Sequence, residues 1–148
     1  MNDTQLPRGR YGPNHPEVIA FIDGLPLVTP TRWAERAGGW TAEALARREI
    51  VADHASFMAI KWGFITPFDA AGEKAWEIAY AAVAPFAAIS FDADYALGYT
   101  RTAASEASLA AQALVIRAFL TREDFLEIFH PMPRAGFDPD NLIETRPN

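Results

Sequence analysis

Apolar residues along this chain recur at three- and four-residue steps from about residue 16 to residue 130. That is the period of one face of an α-helix. No period-2 run of convincing length interrupts it, and no internal repeat appears. The pattern predicts an all-α fold: a compact bundle of about five to six helices.

Caps and breakers divide the pattern. "HPEVIAFIDG" predicts a short helix with Pro16 in its first turn and Gly24 past its end. "VTPTRWAERAGG" starts at Thr29 or Thr31 and stops at Gly38–Gly39, where glycine tolerates the left-handed conformation. A third helix runs from Thr41 to near Gly63. A fourth takes Thr66 as cap, Pro67 as first residue and Asp69 in the manner of a capping box. Gly72 and Pro85 should weaken or bend it. The next runs from Asp92 to about residue 120 and reads as the longest. The last begins at Thr121 and must stop before Pro131, since proline disfavours helical angles in the residue before it.

Two stretches lack the period. Residues 1–16 and 131–148 are rich in proline and glycine and read as extended N- and C-terminal arms around a helical domain at 17–130. Each arm carries isolated apolar residues: Tyr11 in the first, and Phe137, Leu142 and Ile143 in the second. Such residues do little unless they lie across another surface.

Turning the 92–120 helix by 100° per residue gathers Ala93, Ala96, Leu97, Thr100, Ala103, Ala104, Ala107, Ala111, Leu114, Val115 and Ala118 on one side. Small side chains let a second helix approach closely. The partner is either the 73–89 helix, apolar nearly all round, or the same seam of a second copy; the residues alone do not choose.

Composition narrows the classes. A chain of 148 residues suits one domain. There is no cysteine, which removes disulfides, thiolate metal sites and cysteine nucleophiles. A net charge of −6 argues against binding nucleic acid through its phosphates. The most membrane-like run, residues 78–91, is too short to span a bilayer and contains Pro85. No signal peptide is visible, so the expected setting is cytoplasmic. Abundant alanine, and arginine in place of all but two lysines, suggest a bacterial genome.

The third helix carries the candidate chemistry. In "RREIVADHASFMAIKWGF", Arg48 projects into the middle of the apolar side, so it needs a carboxylate, carbonyls or a ligand anion. Asp53 and His54 are candidates for acid/base work because histidine titrates near neutrality, but the helix points them away from Arg48. Glu43, Arg47, His54 and Lys61 form a polar stripe, with Glu43 and Arg47 at pairing distance. Glu127 and His130 stand at the i,i+3 spacing of carboxylate-bridged di-metal sites. Only one copy of that motif is present, so no metal and no cofactor are expected.

Two functional readings follow. The first is a non-enzymatic accessory or interaction protein that works as a homo-oligomer, with a dimer favoured. The second is a small enzyme with an apolar pocket between helices. There Arg48 anchors an anionic or carbonyl group, Asp53 or His54 serves as acid/base, and Arg101 and Trp62 complete the ligand contacts. Ligand binding without chemistry would use the same pocket, and the aromatic content suits a small apolar or aromatic ligand. An acidic partner already held by Arg48 would count against the enzyme.

Overall fold

The computed structural model describes residues 10–36 and 41–144. Seven α-helices and no strand occur among them. They are α1 (His15–Gly24), α2 (Pro30–Glu35), α3 (Ala42–Lys61), α4 (Ile65–Ser90), α5 (Ala93–Val115), α6 (Arg122–Phe129) and α7 (Pro131–Arg134). None is long and apolar enough to cross a membrane.

Four helix starts follow from their caps. The side chains of Thr29, Thr41, Asp92 and Thr121 each accept from a backbone amide three residues on. The start of α4 differs from expectation. Its N-cap is Phe64, and Thr66 lies inside the first turn. The junction with α3 sets that start: Gly63 takes φ +79°, and the Phe64 amide bonds back to the Ala59 carbonyl. A left-handed glycine reverses the chain so tightly that α4 begins at once. α4, with 26 residues, is the longest helix, and it continues past the exposed Pro85. α5 stops at Val115, short of residue 120, and a 3-10 turn at Arg117–Phe119 follows. Asn14 donates from Nδ2 to the Leu114 carbonyl (2.8 Å), satisfying an acceptor that the helix end leaves open.

The alanine seam lies inside the chain. α4 and α5, joined by only two residues, pack along most of their length. Ala71, Ala75, Ala79, Val83 and Ala87 are buried on α4. Ala96, Thr100, Ala103, Ala104, Ala107, Ala111, Leu114 and Val115 are buried on α5. The expected seam members Ala93, Leu97 and Ala118 remain exposed at the ends. A Cβ added to Gly72 would stand 2.6 Å from Gln112 Nε2, so glycine there leaves room for the Gln112 side chain between the two helices.

Larger side chains fill the opposite side of α5. Phe21 of α1 meets Phe129 of α6 at 5.5 Å and Phe137 at 4.7 Å between ring centroids. Residues 131–144 of the expected C-terminal arm therefore belong to the body, and residues 145–148 lie outside the described residues. The packed segment opens with the α7 turn, and Met132, Phe137 and Leu142 are buried. His130 takes helical angles (φ −44°, ψ −42°) in spite of Pro131, because burial of Pro131 and Met132 outweighs a local preference. Arg122 and Arg117 tie the segment down through Asp140, at 2.8 and 2.7 Å. Of the expected N-terminal arm, residues 1–9 lie outside the described residues. Tyr11 is buried, a 3-10 turn spans Gly12–Asn14, and α1 begins at His15.

Candidate functional site

Arg48 is buried, as its position on the apolar side of α3 requires, and its partner comes from α5. Arg48 Nη1 lies 3.8 Å from Glu106 Oε2. The same carboxylate is held more tightly by Arg36, at the end of α2, whose Nε donates to Oε1 at 2.6 Å. Arg36 also donates from Nη1 to the Trp33 carbonyl (2.5 Å) and lies 4.8 Å over the Tyr99 ring. Three helices thus meet at one carboxylate shared by two guanidiniums.

The sharing is unequal. Arg36 is hydrogen-bonded, whereas Arg48 Nε and Nη2 are buried with no hydrogen-bond partner, as is Glu106 Oε2. Burial pushes the Glu106 carboxyl up to about 7, against the pull of Arg36 and Arg48. Burial also lowers the Arg48 pKa, partly offset by Glu106.

One side of Arg48 faces a cavity of about 310 Å³ lined by Thr41, Ala44, Leu45, Arg47, Arg48, Glu127 and His130. Arg47 does not use its helical neighbour Glu43. Its ion pair is to Glu127 of α6, at 3.3 Å, because α6 packs across this part of α3. Glu127 and His130 accordingly share a cavity wall. No group of three or more His, Asp or Glu side chains among the described residues is placed to hold a metal ion.

The remaining candidates are elsewhere. Asp53 and His54 are exposed on α3, away from Arg48. Trp62 stacks on Phe119 at 5.3 Å, near the other end of α3 and about 21 Å along its axis from Arg48. Arg101 is exposed on α5. The structure therefore does not bring Arg48, Arg101 and Trp62 to one pocket, nor Asp53 or His54 to Arg48.

No protein-family model, curated protein or solved structure matches the chain.

The sequence reading missed Arg36 and Glu106. Glu106 had a signal. It stands three residues after Ala103, four before Ala110 and seven before Ala113, on a buried stripe beside the main seam. A glutamate embedded in such a stripe calls for a cation, as Arg48 called for an anion. Arg36 gave no comparable signal, since its partner lies 70 residues away.

A second feature sits on the outer side of α3. Ile50, Phe57 and Ile60 are 70, 58 and 61% exposed. With exposed Ala46 and Asp53 they follow steps of 4, 3, 4 and 3 residues. That is the spacing of a coiled-coil seam. Its one polar member is Asp53. No described element covers this face.

Proposed function

We propose that the chain is a homodimeric accessory protein whose copies pair through the outer face of α3. One observation carries the reading: Ile50, Phe57 and Ile60, at coiled-coil spacing, are exposed on a helix whose opposite side is packed. Exposed apolar rows of this kind usually mark interaction surfaces. The 4-3 spacing is the register another helix meets, and a second copy supplies an identical one.

The residues that first suggested self-association no longer argue for it. The alanine seam closes on α4, and Tyr11, Phe137 and Leu142 are buried in their own chain, with Ile143 alone of that set left exposed. The dimer rests on α3 instead. Asp53, at a seam position, gives the pairing a polar centre, which weakens association and restricts register.

The enzyme reading is weaker on this geometry. Arg48 shares Glu106 with Arg36, and neither Asp53 nor His54 approaches it. The test is an NMR dilution series. Amide shifts that change with concentration should cluster at residues 46–60, on the outer face of α3. Changes spread evenly over the chain, or confined to α4 and α5, would exclude this interface.

A further inference from the structure

The cavity beside Arg48 is independent of that outer face. Ile50 and Phe57 lie two and nine residues beyond Arg48, about 160° and 180° round the helix from it. Around the cavity the charges do not balance. Arg36 and Arg48 are two cations that share the single carboxyl of Glu106, leaving at least one positive charge in excess. Arg47 and Glu127 neutralise each other at the rim. Arg48 is 9% exposed, and two of its nitrogens lack a hydrogen-bond partner. A buried guanidinium in that condition is costly, and an oxyanion brought to it removes the cost.

Two further features favour an anion there. Thr41, Ala44 and Leu45 place the first turn of α3, the positive end of its dipole, on the cavity wall. His130 brings an imidazole capable of donating a hydrogen bond. The ligand's charge follows from the excess: one uncompensated positive charge suits a monoanion. Its body follows from the walls, since Ala44 and Leu45 offer apolar surface and 310 Å³ is at the small end of ligand sites.

We infer that the cavity between α3 and α6 is a binding site for a small monocarboxylate with an apolar body, its carboxylate on Arg48 and its body against Ala44 and Leu45. The two oxygens of a carboxylate match the fork of a guanidinium better than any single acceptor does. No bond is made or broken; the site binds.

Benzoate is the probe. Titration calorimetry on the full chain should give saturable binding of one benzoate per chain. R48Q should weaken it about tenfold or more, the usual loss for a hydrogen bond to a charged group. A44F fills the cavity while leaving the Arg36–Glu106–Arg48 trio intact, and should weaken binding by a similar factor. If circular dichroism shows R48Q to be unfolded, A44F decides. No saturable binding by the folded wild type up to about 10 mM, ten times the Kd of a weak millimolar ligand, overturns the proposal. So does equal affinity in wild type and A44F. Saturable phosphate binding with none of benzoate overturns the carboxylate assignment.

Discussion

α5 and α3 are both long helices with a marked apolar row, and they use those rows in opposite ways. The row on α5 is mostly alanine, and from Ala96 to Val115 all of it but Leu97 is buried against the chain's own helices. The row on α3 contains Ile50, Phe57 and Ile60, and it faces outward. Small side chains offer little apolar area each but let helix axes come close, so their value is realised only in contact. Large side chains in water are a standing cost that a partner removes. The seam of α5 therefore builds the fold, and the row of α3 is the one proposed for assembly. Changes to the first should cost stability, and changes to the second should cost association alone.

The largest loss is expected where α5 anchors the neighbouring helices. Removing the Glu106 carboxylate in E106A strands Arg36 and leaves Arg48 with no counter-charge. Breaking a buried pair from one side costs about 3–5 kcal/mol, to be read by urea unfolding. A loss below about 1 kcal/mol would mean that the trio contributes little to holding α2, α3 and α5 together.

The same carboxylate gives a pH signature. Glu106 titrates near 4.5 in the unfolded chain and about 7 in the native one. Between those values the native state keeps a proton that the unfolded state has released. The stability due to this group is thus complete below about pH 4.5 and is lost as pH rises through 7. Melting temperature should fall by several degrees over that window in the wild type, and the fall should be smaller in E106Q. Asp140 provides the contrast. It too sits between two arginines, but it is exposed, and hydrogen bonds from Arg122 and Arg117 hold it down to about 2. Its contribution is present above its ordinary value near 3.8 and disappears as pH falls toward 2. Two similar trios titrate in opposite directions because one is buried and the other is not.

Next comes the seam. Ala107 is fully buried. A107W should destabilise by at least the usual overpacking cost of about 1–3 kcal/mol, measured by thermal melting. An unchanged melting point would mean that the contact between α4 and α5 is loose. The smallest effect on folding belongs to the outer face of α3. D53L should leave chemical stability of the monomer within about 0.5 kcal/mol, as exposed substitutions do. It should tighten self-association about tenfold or more, since burying a leucine is worth roughly 1.5–3 kcal/mol. Dilution calorimetry checks this.

Much of this contrast was legible in the sequence. Thr29, Thr41, Asp92 and Thr121 marked their helix starts because a cap is a local contact. The seam was legible because one helix fixes the angular order of its own residues, and the isolated Arg48 was legible for the same reason. What was hidden is tertiary. Whether the alanines met α4 or another copy depended on chain reversal at Phe91–Asp92. The pairing of Arg36 with Glu106 spans 70 residues. The burial of Phe137 and Leu142 depended on the surface that α1 and α6 form together. The 4-3 row on α3 stood in the sequence, but its exposure did not.

The most direct test is solution mass by light scattering, run on the wild type and on F57E at the same high concentration. Pairing through α3 predicts about twice the chain mass of 16.3 kDa for the wild type and the single-chain mass for F57E, with unaltered helical content in both. A wild type that stays at single-chain mass, or an F57E variant that keeps the doubled mass, would contradict it.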